Sequence, residues 1–529
     1  MYQVSMFIVT LVDSWSTMNT YLLVGLMATV AYCFYLHFTR TFNYWRSRNV
    51  PGPSPVPIFG NLMESTLRRE NIAIVFKKIY EAYPNEKVVG VYRMTTPDLL
   101  IRDPDIVKQV MIKDFDIFPD RGIEFDTDGL GANLFHANEK TWRILRNKLT
   151  PIFTSGKLKN MLHLIIDRSE HFIKYIENVI QTQTEQEVFQ LAQKFTITAI
   201  SACAFGLDID ITKQDNVMEM LMKLDKRIFT INYATELDMM YPGIVGKLGW
   251  SLFPADVKDF FHGLVKQVVS MRNGELTNRQ DFMDLILELK QAKRVEEVQS
   301  PEKEENISIE ITEGLIAAQA FVFYAAGYET SATTLGFMFM QLALNPEVQE
   351  KVAVEIKEVL KRHNDKITYE ALQEMTYLER VLNETLRLFP VVDPLFRKVG
   401  ADYKIPGTDV ELKKGQTVLV SASGIHHDEK YWPDPSKFDP DRFTPEKSAS
   451  RHPAVYLPFG IGRRQCIGMR FAKVQSRVCA VRLLQRFRLE PTEHTPRELR
   501  YNPDRILPLA GQIYLTRRHC KLCKGIRYL

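Results

Sequence analysis

Cys466 has a chemical setting shared by no other cysteine in this sequence. Phe459-Gly-Ile-Gly-Arg-Arg-Gln-Cys466-Ile-Gly468 gathers three glycines and two arginines around a single thiol. Glycine carries no Cβ, so the backbone can turn tightly and lie close to a flat partner. The apolar pattern after it predicts a helix over Ile467–Leu484, with Cys466 at its start. Backbone N–H groups at a helix start favour a thiolate over a thiol. Arg463 and Arg464 add positive charge, and a guanidinium fork suits a carboxylate. Phe459 can cover the sulfur. The loop therefore reads as a thiolate ligand presented to a planar, anionic cofactor; the plain alternative is an inert buried thiol.

Other residues upstream could do chemistry or position it. Glu384 and Arg387 stand three apart in Tyr377–Phe389, whose apolar stripe at Leu378, Val381, Leu382 and Leu386 predicts a helix, so they share one face. Alone they would be an ordinary surface ion pair. Glu329 is the only charged residue between Glu313 and Glu347, and Thr330 comes directly after it. A carboxylate beside a hydroxyl can relay a proton, although a mid-helix threonine can also bond back to its own backbone.

Together these stretches resemble the cytochrome P450 family. Phe459, Gly462, Arg464, Cys466 and Gly468 match its Phe-x-x-Gly-x-Arg-x-Cys-x-Gly signature, and Glu384 with Arg387 its Glu-x-x-Arg pair. Pro440-Asp-Arg442-Phe443 resembles the Pro-x-Arg-Phe element. Ala326-Gly-Tyr-Glu-Thr-Ser331 resembles the oxygen-activation motif, and Trp142 with Arg146 the Trp-x-x-x-Arg pair. The likeness covers nearly the whole chain, and Phe153-Thr-Ser-Gly-Lys-Leu158 adds to a likeness with insect microsomal, xenobiotic-metabolising members.

The resemblance implies a mainly α fold with small β-sheets and a single large catalytic domain. It implies haem b ligated by Cys466, with Trp142, Arg146, Arg397, Phe459, Gly462, Arg464 and Gly468 around it. Arg397 rests on position alone. Glu384 and Arg387 would form a buried group with Arg442 that steadies the cysteine loop. Glu329 and Thr330 would carry protons. Phe118, Phe135, Phe321, Ala325, Val391, Val392 and Leu507 fall where the family lines its pocket, although apolar residues are more often ordinary core. The implied reaction inserts one oxygen atom from O2 into a small hydrophobic substrate. Electrons would come from NADPH through a membrane-bound reductase, with cytochrome b5 a further candidate donor. The sequence has no flavin or dinucleotide fingerprint of its own, since Gly129-Leu-Gly-Ala132 does not open a helix after a strand. Arg143, Lys148, Arg470 and Lys473 could steer such an acidic partner, or be plain solvated charge. The alternatives are a haem-thiolate isomerase or dehydratase working without reductase, and a non-enzymatic haem-binding protein.

The elements that must position this chemistry lie behind an apolar N-terminus. Tyr21–Phe38 is 18 residues without Asp, Glu, Lys or Arg. As a helix it spans about 27 Å, close to the hydrocarbon thickness of a bilayer. No Lys or Arg precedes it, whereas Arg40, Arg46 and Arg48 come just after it, a bias that places the remainder of the chain on the cytoplasmic side. The division expected is residues 1–20 lumenal, 21–38 transmembrane, 39–60 a basic and proline-rich hinge, and 61–529 catalytic. The setting implied is the endoplasmic reticulum membrane. Pro51–Pro57 reads as a stiff extended connector.

Strands are expected at Lys87–Tyr92 and Leu99–Arg102, mostly helix from Leu145 to about Leu289, and a long central helix from Gly314 to Pro346. Ala292–Asn306 is so charged that it reads as a solvated loop. Asp409–Ala422 reads as a strand pair about a Lys-Lys-Gly turn, and His426-His427-Asp428 as a loop.

Composition excludes other classes. With 68 basic and 64 acidic residues, the net charge of +4 is too mild for a nucleic-acid partner. Six irregularly spaced cysteines in 529 residues do not make a disulfide scaffold. Cys520 and Cys523 lack the further ligands that a zinc site needs.

Overall fold

The computed structural model describes residues 2–122, 129–182, 185–212, 216–241, 243–277, 281–292, 294–298, 306–493, 495, 501–505 and 514–519. Leu507, Cys520 and Cys523 lie outside them.

The first helix, α1 (Tyr2–Thr39), begins well before the apolar run that predicts it. Its Thr20–Thr39 part is long and apolar enough to cross a bilayer and is not buried against the protein. The chain then docks at once. Trp45 is buried, its backbone N–H donates to the Tyr92 hydroxyl (3.1 Å) and its indole N–H to the Val91 carbonyl (3.2 Å). Pro51 accepts the Gly90 N–H (2.8 Å), so the proline connector lies along a strand edge.

That strand belongs to a four-stranded sheet: β1 (Val88–Arg93), β2 (Thr96–Ile101), β3 (Leu395–Lys398) and β4 (Thr417–Val420), in the order β1-β2-β4-β3. The contact between β2 and β4 is parallel and the others are antiparallel. The expected pairing across Lys413-Lys414-Gly415 does not form. Glu411–Leu412 pairs with Tyr403–Lys404 instead, and β4 pairs with β2 and β3. Turn chemistry marks where the chain bends; the partner is chosen by the apolar strands on either side.

Most of the domain is helical. The helices used below are α2 (Glu139–Leu149), α3 (Val188–Ile200), α4 (Asn216–Phe229), α5 (Glu313–Leu344), α6 (Thr376–Leu388) and α7 (Met469–Arg486). The central helix α5 is capped by the Thr312 side chain on the Leu315 N–H and ends before Pro346, since the residue preceding proline avoids helical backbone. It is buried on nearly every side, as expected of a core helix. Gly327 lets it approach α3: a Cβ there would stand 2.6 Å from Cδ1 of Ile200.

A further expectation is overturned in part. The charged stretch contains strand: Arg294–Val298 and Asn306–Glu310 form an antiparallel two-stranded sheet, in register from Arg294 opposite Glu310 to Val298 opposite Asn306. Valines and isoleucines recur through both strands, and Ile309 packs on the main core. Charge count conceals a strand when β-branched residues are interspersed with the charges.

Candidate active site

The cysteine loop is closed by its own backbone. The Cys466 N–H donates to the Phe459 carbonyl (2.9 Å), Gln465 to Gly462 (3.0 Å) and Gly460 to Leu457 (3.0 Å). Gly462 has φ +78°, and a Cβ there would stand 2.1 Å from the Met111 carbonyl oxygen, so only glycine fits. Helix α7 starts at Met469, two residues later than the sequence suggests, and Gly468 is its N-terminal boundary. Cys466 therefore sits just outside the helix, where the Gly468 and Met469 N–H groups reach its sulfur. Burial pushes the thiol up; those N–H groups, Arg146 and Arg121 pull it back down. The side chain is accessible although protein surrounds it at longer range, which places it on an internal cleft.

Four guanidinium groups act on one another around this sulfur: Arg121, Arg146, Arg397 and Arg464. Arg464 donates to the carbonyls of Pro119 (2.8 Å) and Ala137 (2.9 Å), and its guanidinium stacks 4.3 Å from the centre of the buried Trp142 ring. Arg146 donates to the Gln465 carbonyl (2.9 Å) and Arg397 to that of Phe396 (2.6 Å). Among the described residues, Asp120 is the carboxylate in contact with the group, 3.3 Å from Arg464. Nε of Arg397 and one terminal nitrogen of Arg464 are buried without a hydrogen-bond partner. Burial lowers Arg464 to about 9 and Arg397 to about 10, and Arg121 is pushed down by burial and then by Arg397 and Arg464. Such a set of cations, two buried and two half-buried, fits a ligand bearing more than one carboxylate. Haem, planar with two propionates and an iron for the thiolate, meets that requirement. Sequence reasoning missed Arg121, which carries no spacing signal and is brought in by its donation to the Arg464 carbonyl (3.1 Å).

Behind the loop, Glu384 and Arg387 are fully buried and joined by two hydrogen bonds of 2.7 and 2.8 Å. Arg442 approaches Glu384 at 3.4 Å, and the Asp439 N–H donates to Glu384 (2.9 Å). Burial raises the Glu384 carboxyl, against the pull of Arg387, Asp439 N–H and Arg442. Arg387 also donates to the carbonyls of His426 (2.8 Å) and Pro435 (2.8 Å). His426 is not on a loop, as the sequence suggests. It ends a one-turn helix, Ala422–His426, is fully buried and contacts the cysteine-loop segment through the Leu457 N–H.

On α5, Ala326 is exposed and Thr330 half-exposed, although Ala325, Tyr328 and Glu329 beside them are buried. A solvent-open patch in the middle of a buried helix lines an internal cleft. The Thr330 hydroxyl donates to the Ala326 carbonyl (2.7 Å), the backbone bond foreseen as the plain reading. Glu329 points elsewhere, to Gln193 of α3 (3.0 Å) and Arg505 (2.5 Å).

The proposed pocket residues divide. Phe135 is half-buried, with the Arg121 guanidinium 4.1 Å from its ring centre. Ala325 and Val391 are buried, and Val392 is 37% exposed. Phe321 packs edge-on against Phe253 and Phe261. Phe118 is fully buried in the sheet-side core, edge-on to Tyr403. Of the basic residues, Arg143 pairs with Asp116 and Glu139 and Lys473 with Glu379, whereas Lys148 and Arg470 are exposed.

The sequence model of the family described as Cytochrome P450 matches residues 50–516. The chain is 55% identical over 471 residues to cytochrome P450 6B5 of Papilio glaucus, covering 89% of this chain and 98% of that protein. It is 53% identical over 495 residues to cytochrome P450 6B1 of Papilio polyxenes (93% and 99% covered). It is 37% identical over 512 residues to cytochrome P450 6a2 of Drosophila melanogaster (94% and 98% covered).

Proposed function

The chain belongs to the cytochrome P450 family and is a haem-thiolate monooxygenase; from that premise we propose that Cys466 would bind the haem iron and that Arg121, Arg146, Arg397 and Arg464 would hold the propionates. The observation that carries the residue assignment is the gathering of four guanidinium groups around one thiol, two of them, Arg397 and Arg464, buried with unpartnered nitrogens. Bound there, haem would supply the activation of dioxygen, and the thiolate would supply electron density to it.

The protein's own residues do the rest. Gly462 and the backbone bonds of the loop hold the sulfur in place, and Phe459 with Gly468 bounds it. The Glu384–Arg387–Arg442 group stiffens the segment that carries the loop. Thr330, open to the cleft, orients a proton donor or water there, and Glu329 supplies the proton. Phe135, Ala325, Val391 and Val392, with Leu507 as a further candidate, shape an apolar space for a small hydrophobic substrate. Few polar groups fix orientation in such a space, which suits a range of lipophiles, including plant toxins and other xenobiotics.

Electrons come from NADPH through a membrane-bound flavoprotein reductase docking near Lys148 and Arg470, with cytochrome b5 as an alternative donor. Residues 21–38 cross the endoplasmic reticulum membrane, leaving 61–529 in the cytosol as the catalytic domain. The alternative of a reductase-independent isomerase or dehydratase is less favoured, because the acid–alcohol pair Glu329-Thr330 is intact.

The test is the carbon monoxide difference spectrum of the dithionite-reduced full-length protein, followed by NADPH turnover with reductase. A Soret band strongly red-shifted from that of histidine-ligated haem, and absent in Cys466→Ala, is expected. A histidine-type band in folded wild-type protein would overturn the ligand assignment.

A further inference from the structure

Glu329 belongs to a buried group that extends past the central helix. Arg505, from the segment 501–505, reaches two carboxylates at once. Its terminal nitrogens lie 3.0 and 3.2 Å from the two oxygens of Asp225 on α4, and one of them is 2.5 Å from Glu329. The Tyr328 hydroxyl donates to Asp225 (2.8 Å), and the amide of Gln193 donates to Glu329 (3.0 Å). Glu329 is fully buried, and Asp225 and Arg505 are 6% and 8% exposed.

The charge does not balance if both acids are ionised. Two carboxylates would face one guanidinium in a medium that penalises net charge. One proton on the pair removes the excess, and the hydrogen bonds decide which acid takes it. Asp225 receives a two-pronged guanidinium contact and a phenol donor. Glu329 receives one guanidinium nitrogen and one neutral amide. The better-solvated anion is Asp225, so the proton belongs to Glu329.

We propose that Asp225 is a positioning residue for the oxygenation reaction: by engaging both terminal nitrogens of Arg505, one of which it shares with Glu329, it keeps Glu329 in the protonated form that can donate. This rests on the reading of Glu329 as proton source. When the proton leaves Glu329 for a water molecule on the Thr330 side, the new carboxylate stays held by Arg505 and Gln193, and solvent returns one proton before the next cycle. Among the described residues, the groups facing Glu329 are Asp225 from α4, Arg505, neutral Gln193 from α3, and Tyr324 and Tyr328 on its own helix. Both tyrosines are pushed well above their ordinary range, burial first, and stay neutral. Burial and then Asp225 raise Glu329 to about 8, consistent with the hydrogen-bond argument.

The experiment is a pH titration of the full-length holoenzyme by infrared difference spectroscopy, following the C=O stretch of a protonated buried carboxyl, assigned by its loss in Glu329→Gln. In wild type the band should persist through neutral pH. Asp225→Asn frees Arg505 for Glu329 and should lower the midpoint by at least about one pH unit, whereas Arg505→Gln should raise it. Tyr328→Phe, a milder change, should lower it by less. Opposite shifts from two neighbouring substitutions cannot come from loss of structure, and an unchanged or raised midpoint in both Asp225→Asn and Tyr328→Phe overturns the proposal. Product formed per NADPH, measured over the same pH range, separates the two ideas. If the midpoints shift as stated while the product ratio ignores them, Asp225 keeps Glu329 protonated but Glu329 is not the proton source.

Discussion

The backbone N–H of Leu457 donates to Nε2 of His426 across 2.8 Å. Nε2 is therefore the unprotonated nitrogen, and Nδ1–H donates to the Arg387 carbonyl at 3.0 Å. One neutral imidazole thus ties the Glu384–Arg387 helix to the chain leading into the cysteine loop. A second proton would leave Nε2 with no acceptor and two donors facing each other. Burial, then His427 and Arg387, lower His426 to about 3.

The sign of the resulting pH effect is set by the folded state binding this proton less readily than the unfolded one. The stability His426 contributes is complete above the unfolded value of about 6.5 and is lost as pH falls toward 3, by at most about 1.4 kcal/mol per unit. His427 is also lowered to about 3, burial first, and acts in the same direction. His426→Gln should therefore keep part of the acid limb of unfolding but lower the midpoint at neutral pH, because the strut is gone. Denaturant titrations from pH 4 to 8 measure this; a full acid slope in the variant would assign the effect to other groups.

Arg387→Ala should abolish haem incorporation. It strands the Glu384 carboxylate in a site with no exposure and removes three carbonyl contacts, to His426, Pro435 and Lys437. Breaking a buried pair in this way costs about 3–5 kcal/mol. Arg387→Lys should do little better, since an ammonium cannot reproduce the fork. Haem-to-protein ratio after purification reads the result, and a normal ratio in Arg387→Ala would end the claim that this group steadies the loop.

How much of this is legible in the sequence depends on whether a residue works through spacing or through tertiary approach. Glu384 and Arg387 are readable because three residues on a helix is already a contact. Gly462 and Cys466 are readable because glycine and a helix start constrain the loop locally. Arg121 is not readable: its role depends on meeting Arg397 and Arg464, hundreds of positions away. Asp225 and Arg505 escape notice for the same reason, and Glu329 alone gives no sign that its carboxyl turns toward α3 and α4. The strands at 294–298 and 306–310 are hidden differently, by charge that mimics a solvated loop.

Arg397→Met should affect the cofactor-free and the loaded protein in opposite senses. Among the described residues no carboxylate contacts Arg397, a buried cation near other cations, with its Nε unsatisfied. Replacing it with an apolar chain of similar length removes that cost, so the haem-free protein should unfold at an equal or higher denaturant midpoint. In the holoprotein the same change deletes a propionate contact, and haem should leave at least about tenfold faster, a loss of about 1.4 kcal/mol or more. Haem transfer to apomyoglobin gives the rate. Slower release would mean that Arg397 does not face the cofactor.

Thr330→Ala tests the distal assignment. The hydroxyl is bonded to Ala326, so its loss costs the helix little: a threonine that bonds back to its own turn contributes no tertiary contact. The variant should therefore fold, load haem and consume NADPH at close to the wild-type rate. Its side chain is nevertheless among the few on α5 that open to the cleft. Without a hydroxyl there, water and proton are no longer oriented, and reducing equivalents should appear as hydrogen peroxide instead of product. Removing a positioned proton donor typically lowers the assisted step by about 100-fold or more. Peroxide and product, both counted per NADPH with reductase present, distinguish the two fates. An unchanged product ratio would leave Thr330 as a helix residue and nothing more, and proton delivery would then have to run from Glu329 by another route.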